Sequence, residues 1–320
     1  MTLPNRPRYA ARLNAFKVKG GTVADMIRGA GQVAGLSAAD LNYPDHFEHH
    51  QPADLTRLLA DQGMALNGLA MRYYTEAGFK LGAFTHPDAA TRRAAIDLTK
   101  RGIDTCAAMG GTQMTLWMGQ DGFDYAFQAN YARMWDDTLA AIAEVADHNP
   151  AIDIAIEYKP NEPRAFALMP DMTTTLLALK DIARPNTGVT LDFAHMLYAG
   201  EMPARAAQLA ARHSRILGVH LNDGYGKRDD GLMVGTVHPV QTVELFVELI
   251  RAGYDGVIYF DTFPDLSGLN PADEAATNIH LTDRLRATAA RLATDPALAE
   301  AQARQDAAAT TRIVTNALYA

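Results

Sequence analysis

Cysteine is almost absent: Cys106 is the single one in 320 residues. It cannot close an intramolecular disulfide, and its solitude points to a reducing compartment. Spaced with Ile103 and Ala107 on the apolar stripe of a helix, it is expected to pack rather than react. Positive charge is also in short supply, with 29 Lys and Arg against 37 Asp and Glu and a formal net charge of −8. A nucleic-acid partner needs a basic face, so none is expected. No run reaches about eighteen uninterrupted apolar residues, which removes a membrane span. The opening Met1-Thr2-Leu3-Pro4-Asn5-Arg6-Pro7 carries no apolar core of a secretory signal, so the expected location is the cytoplasm. No glycine-rich linker or charge run marks a second globular unit.

What is present is apolar substance in an alternating pattern. Apolar residues make up 48% of the chain, enough for a sizeable core. Short β-rich runs alternate with segments of helical period, which predicts a parallel sheet with helical crossovers. The runs are Ala11–Phe16, Ala38–Asn42, Met64–Met71 and Gln113–Met118, then those ending at Glu157, Asp192, His220 and Asp261. Between them, helical faces are read from Ile96, Ile103, Cys106 and Ala107, from Trp135, Leu139, Ile142 and Ala146, and from Val243, Phe246, Val247 and Ile250. Gly110-Gly111, Gly253 and Arg184-Pro185-Asn186 punctuate the helix ends. The expected fold is α/β, a (β/α)8 TIM barrel over residues 1–270 with a C-terminal helical extension over 271–320. Leu281, Leu285 and Leu292 share one face of that extension. It either packs on the outside of the barrel or clasps a neighbouring subunit, and a homo-oligomer is expected.

The last four runs carry the chemistry. Glu157 closes Ile154-Ala155-Ile156, Asp192 closes Val189-Thr190-Leu191, His220 closes Leu217-Gly218-Val219, and Asp261 closes Ile258-Tyr259-Phe260. The gaps of 35, 28 and 41 residues each hold one helix and its loops. In this fold, ligands gather at the carboxyl ends of the strands. Three carboxylates and an imidazole meeting there would repel one another and bear a heavy desolvation cost unless a cation sat between them. Oxygen donors with one histidine suit Mn²⁺, and also Mg²⁺ or Co²⁺, better than a structural zinc.

Further polar groups surround this quartet. Lys159 lies two residues beyond Glu157, on the same side of an extended chain, where it can donate to a substrate oxygen. His195 follows Asp192 by three residues, close enough to meet a second ion or the substrate. Asp229 and Asp230, in the loop after His220, could complete a second ion site or sit in a solvated turn. Arg164 could meet a phosphate or carboxylate, or lie on the surface. Trp117 and Phe84 could wall the apolar face of a sugar, or belong to the core.

The run Glu157-Tyr158-Lys159-Pro160-Asn161-Glu162-Pro163, the element Leu191-Asp192-Phe193-Ala194-His195, the element His220-Leu221-Asn222-Asp223 with Asp229-Asp230-Gly231-Leu232, and Asp261 together resemble the xylose isomerase-like TIM-barrel superfamily. The likeness runs from about residue 10 to 265 and is nearest to the xylose and L-rhamnose isomerase branch. It implies that Glu157, Asp192, His220 and Asp261 hold a structural metal, with Asp192 bridging to a catalytic one. It also implies that His195 and Asp229 serve that second ion and that Lys159 polarises the carbonyl. Glu157, Lys159 and His195 are accordingly the catalytic candidates. Members of the branch interconvert an aldose and a ketose by a hydride shift between C1 and C2.

The pattern departs from the branch at Gly231, where a second acidic residue is usual, so either one ion or two remains open. Single-metal relatives offer the alternatives of a ketose epimerase, whose second glutamate would align with Asp261, or an acid-sugar decarboxylase. A sugar or sugar acid is the expected partner, unphosphorylated because no glycine-rich phosphate cradle follows the last two strands. A DNA-repair endonuclease of the superfamily would need three zinc ions, many histidines and a basic groove. A barrel that merely binds sugar around a structural metal is the non-enzymatic alternative.

Overall fold

The computed structural model describes residues 7–319, so the amino-terminal stretch Met1–Arg6 lies outside the described residues. Eight parallel strands form one sheet, curled into a barrel: β1 (Tyr9–Ala11), β2 (Ala38–Tyr43), β3 (Ala65–Met71), β4 (Gln113–Trp117), β6 (Asp153–Glu157), β8 (Thr187–Asp192), β9 (Ile216–Leu221) and β10 (Ile258–Phe260). The order round the sheet is β1-β10-β9-β8-β6-β4-β3-β2. A parallel bridge from Tyr9 to Leu36 and a 2.9 Å bond from Ser37 N to Tyr9 O bring the two ends together. Two short strands outside the barrel, β5 (Gly122–Phe123) and β7 (Phe166–Ala167), pair antiparallel over its mouth loops. They were not foreseen, because two-residue strands leave no periodic signal.

The barrel strands are mainly apolar, with polar residues such as Asp40, Asn42, Gln113 and Thr190 among them, because helices cover one side and the barrel interior the other. β8 is buried at every position. The crossovers α1 (Val23–Gly31), α2 (Pro52–Asp61), α3 (Ala89–Ala108), α4 (Tyr131–His148) and α5 (Met172–Ile182) precede β2, β3, β4, β6 and β8 in turn. Short α6 (Phe193–Tyr198) and longer α7 (Pro203–His213) lead into β9, and α8 (Pro239–Arg251) into β10. Several start on a side-chain cap of the expected chemistry, such as Asp88 on α3, Asn130 on α4 and Asp171 on α5.

Two details differ from expectation. The first strand was placed at Ala11–Phe16, but the strand is Tyr9–Ala11 and Leu13–Phe16 forms a 3₁₀ turn. Leu13, Ala15 and Phe16 are buried all the same, and a short apolar run cannot by periodicity alone tell strand from helical turn. On α3 the buried stripe runs through Ile96, Thr99, Ile103 and Cys106, whereas Ala107 is exposed, one step off the stripe.

Beyond β10 come α9 (Pro264–Ser267), α10 (Pro271–Leu292), α11 (Pro296–Ala303) and α12 (Ala307–Leu318). α10 lies along the barrel. Leu285 and Leu292 are buried, Tyr9 Oη donates to Asp283 Oδ1 at 2.6 Å, and Val234 N donates to Asn278 Oδ1 at 3.0 Å. Among the described residues no helix is long and apolar enough to cross a membrane.

Candidate metal centre

Four neighbouring strands deliver the quartet. β6, β8, β9 and β10 stand side by side, with Glu157 opposite Thr190, Asp192 opposite His220, and His220 opposite Tyr259. Asp261 follows β10, its N–H bonded to Leu221 O at 3.1 Å. Parallel strands in this register bring the last inward side chains to one level at the carboxyl end of the barrel.

Glu157, Asp192, His220 and Asp261 each offer one donor atom, and these atoms all lie within 4.8 Å of one another. Donors on opposite sides of an ion with bonds of about 2.1–2.4 Å stand about 4.2–4.8 Å apart, so the cluster can close on a divalent cation by side-chain adjustment.

The electrostatics agree. Burial pushes Asp261 up to about 7, with the nearby Asp192 carboxylate adding to the shift. Asp192 is raised as well, first by burial. Burial would lower His220, but Glu157 foremost, then Asp261 and Asp192, drive it up to about 10. Protonated, its Nδ1 donates to Glu157 Oε1 at 3.3 Å. Burial would raise Glu157, yet the His220 ring outweighs it and the net direction is down. These shifts reflect the crowding of three carboxylates, which a bound cation would relieve. The donor set therefore fits a divalent metal.

Asn222 ties this cluster to the fold. Its Nδ2 donates to both Asp192 oxygens and to Asp261 O, each at 3.2 Å, while its Oδ1 accepts from Ala194 N at 2.7 Å. Asp192 also caps α6, accepting from His195 N at 2.9 Å. That bond explains the three-residue spacing, because the cap turns the chain and brings His195 back over the carboxylate.

A second group adjoins the quartet. Asp229 Oδ2 lies 3.2 Å from both His195 Nε2 and Lys159 Nζ. Lys159 also reaches Glu162 Oε2 at 2.9 Å. His195 is anchored through Nδ1 to Tyr158 O at 3.0 Å. Burial opposes charge on all three, but mutual pairing prevails. Asp229 is held down to about 2 by His195 and Lys159, and His195 is pushed up to about 9 by Asp192, Asp229 and Glu157. Lys159 is raised by Asp229 and Glu162.

Asp230 does not compensate for Gly231. Its oxygens take Tyr225 N at 2.8 Å and Arg228 Nε at 2.7 Å, away from the centre. Gly231 has φ +57°, and a Cβ there would fall 2.2 Å from the Phe263 ring, so a side chain at 231 is excluded by conformation and by space. Among the described residues the quartet is the one group of three or more donors close enough to share an ion.

Glu157, His220 and Asp261, with Lys159, His195 and Asp229, line a cleft of about 430 Å³, within the range of small-molecule sites, and Asp192 is buried. Trp117 lines it too, edge-on to Tyr74 at 5.1 Å and 5.5 Å from Lys159 Nζ. Two expected substrate contacts are corrected. Phe84 has no exposed surface and packs edge-on to Tyr73 at 5.5 Å, so it is core. Arg164 is buried beneath the loops, where its Nε meets Asp124 Oδ2 at 3.1 Å and its guanidinium donates to Lys80 O at 3.2 Å.

Sequence reading missed Arg12, Asp40, Asn42 and Arg72, all of which line the cleft from β1 to β3. Arg12 directly follows β1 and Arg72 directly follows β3, the same signal that marked the quartet, but it was not applied to the first strands. Arg12 donates to Thr262 O at 3.1 Å and pairs with Asp265. Asp40 accepts from Gly68 N at 3.1 Å and is raised by burial.

Known proteins resemble this chain to different extents. Xylose isomerases from Thermus thermophilus and Thermus caldophilus are 27% and 28% identical over 214 residues, which is 64% of this chain and 54% of theirs. The chain thus spans about half the length of those relatives. Among solved structures, an L-ribulose 3-epimerase superposes with TM-score 0.73 at 17% identity, covering 91% of this chain and 99% of that one. A D-tagatose 3-epimerase-like protein gives 0.72 at 16% identity over 89% and 98%. At such identities the superpositions show the fold alone. A family model described as xylose isomerase-like TIM barrel matches residues 29–285, and the chain belongs to that family.

Proposed function

We propose that this chain is a divalent-metal-dependent sugar isomerase that interconverts an aldose and a ketose, with Mn²⁺ the best match to its donors and Mg²⁺ or Co²⁺ alternatives. Glu157, Asp192, His220 and Asp261 would hold the ion. A divalent ion bound there supplies withdrawal of charge from a carbonyl and the hydroxyl beside it. The observation that carries the reading is the joint grip of Lys159 and His195 on Asp229 Oδ2, at 3.2 Å each, against the metal quartet. Lys159, kept charged by Asp229 and Glu162, would donate to the carbonyl oxygen of an open-chain sugar. Asp229 links it to His195 and holds both side chains in place beside the quartet. Trp117 and Tyr74 supply an aromatic wall that excludes water.

A second reading, a ketose 3-epimerase, is favoured by one specific observation: the single donor cluster, with Asp230 turned away and residue 231 closed to a side chain. The names of the L-ribulose and D-tagatose relatives point the same way. Incubation of the metal-loaded protein with aldoses and ketoses in deuterated water separates the readings. A hydride shift produces the other sugar with little solvent deuterium, whereas epimerisation at C3 returns a ketose carrying one deuterium. Release of carbon dioxide from a sugar acid would instead identify a decarboxylase. A homo-oligomer remains part of the proposal, supported by α12, none of whose residues is fully buried. Light scattering in solution reads it directly.

A further inference from the structure

The cleft has an electrical asymmetry. β9, which bears His220, and β3, which Arg72 directly follows, are four strands apart in the eight-stranded ring and so face each other. The metal quartet and its carboxylates occupy one side. The opposite side presents Arg72, with Asp40 and Asn42 of the adjoining β2.

The cations of the cleft differ in how they are matched. Arg12 is paired with Asp265 and reaches Thr262 O, and Lys159 is paired with Glu162 and Asp229. Arg72 is different. Its guanidinium stacks over the Tyr74 ring at 4.4 Å, yet makes no ion pair or hydrogen bond among the described residues, and its Nε is buried without a partner. Burial works against its charge foremost, while Tyr259, Asp45 and Asp261 favour it, the two carboxylates only from beyond ion-pair range, and Arg12 opposes it. An arginine stays protonated nonetheless, so a half-buried cation with a planar fork of donors is left facing the cleft unmatched.

We propose that the substrate carries a carboxylate at the end of its open chain remote from the metal, and that Arg72 receives it. A planar monoanion matches the edge of one guanidinium. A phosphate dianion would call for a second cation or a cradle of backbone N–H groups, and the other cations of the cleft are already engaged. The substrate class is therefore a sugar acid with its acid group distal to the carbonyl, as in a hexuronate. This rests on the reading of the cleft as a sugar isomerase or epimerase site.

The test uses the metal-loaded full chain and matched sets of sugars: neutral aldohexoses, the corresponding hexuronates and the corresponding 6-phosphates. Binding is measured by calorimetry and turnover by product analysis. The hexuronate is expected to exceed its neutral partner at least tenfold in kcat/KM and in affinity, and to exceed the phosphate. In Arg72→Met that preference collapses toward one, chiefly through KM, while Arg72→Lys recovers part of it. The melting temperature of Arg72→Met should change little, since the guanidinium makes no hydrogen bond or ion pair and a methionine can keep packing on the Tyr74 ring. Equal use of neutral and acidic sugars, a preference for the phosphate, or a preference that survives Arg72→Met would overturn the inference and leave the isomerase reading intact. Arg72-dependent binding of hexuronates without any turnover would sink the isomerase reading alone.

Discussion

Asn222→Leu removes the amide that holds two of the four metal donors in place while keeping the same branched skeleton of heavy atoms. Asn222 is fully buried, donates to both oxygens of Asp192 and to Asp261 O, and accepts from Ala194 N. Loss of such a support typically weakens metal binding about 10- to 100-fold. Each tenfold step is about 1.4 kcal/mol. The variant also strands the Ala194 N–H, which costs about 1–3 kcal/mol of stability whether or not metal is present. The two effects separate by assay. Competition with a fluorescent chelator reads the Mn²⁺ dissociation constant, and melting with and without saturating Mn²⁺ reads stability. At fixed Mn²⁺ well above the dissociation constant, a tenfold weaker site gives up about 1.4 kcal/mol of ligand stabilisation. A folded Asn222→Leu protein that binds Mn²⁺ within twofold of the parent would refute the argument that Asn222 organises the site.

Metal loading should strengthen with pH. In the metal-free protein His220 sits near 10 and Asp261 near 7, so at pH 6 the imidazole is charged and most of the carboxyl is protonated. An ion requires neutral imidazole and ionised carboxylate, so protons must leave on binding, and affinity should rise about tenfold or more per pH unit between pH 6 and 8. Calorimetry in buffers of different ionisation enthalpy counts those protons, and a flat profile would contradict the assignment. Phe84→Ala should cost about 3–5 kcal/mol of stability by emptying a buried site, with KM for any substrate moved less than twofold. Denaturant melts and kinetics check both halves. Gly231→Asp should lose about 1–3 kcal/mol because of its left-handed backbone, and more from the clash with Phe263, without creating a second ion site. Titration to two ions per chain would show that reasoning to be mistaken.

Much of this was legible in the chain because the barrel repeats one device. An apolar strand closes with an ionisable residue, and the device marked Glu157, Asp192, His220 and Asp261 from spacing alone. Lys159 was legible for a similar reason, since period-two geometry puts it on the side of Glu157. Asp229 and His195 were suggested by proximity in sequence, but their contact depends on the Asp192 cap and the fold of a loop. The half of the cleft from β1 to β3 was not read. β1 is only three residues long, and the apolar residues of the following 3₁₀ turn drew the expected strand past Arg12. Phe84 and Arg164 were misassigned because a ring or a guanidinium in a mouth loop looks alike in sequence whether it faces the cleft or the packed underside. Gly231 was seen as a departure. Its cause, the Phe263 ring occupying the space a side chain would need, lies in tertiary packing that no local pattern carries.

Metal content and its location test the central claim most directly. The purified protein, loaded with Mn²⁺ and crystallised, should show one anomalous peak per chain among Glu157, Asp192, His220 and Asp261, and a chelator should abolish sugar conversion until Mn²⁺ is restored. A chain that takes up no ion at that cluster, or that converts sugars undiminished in the chelator, would contradict the account.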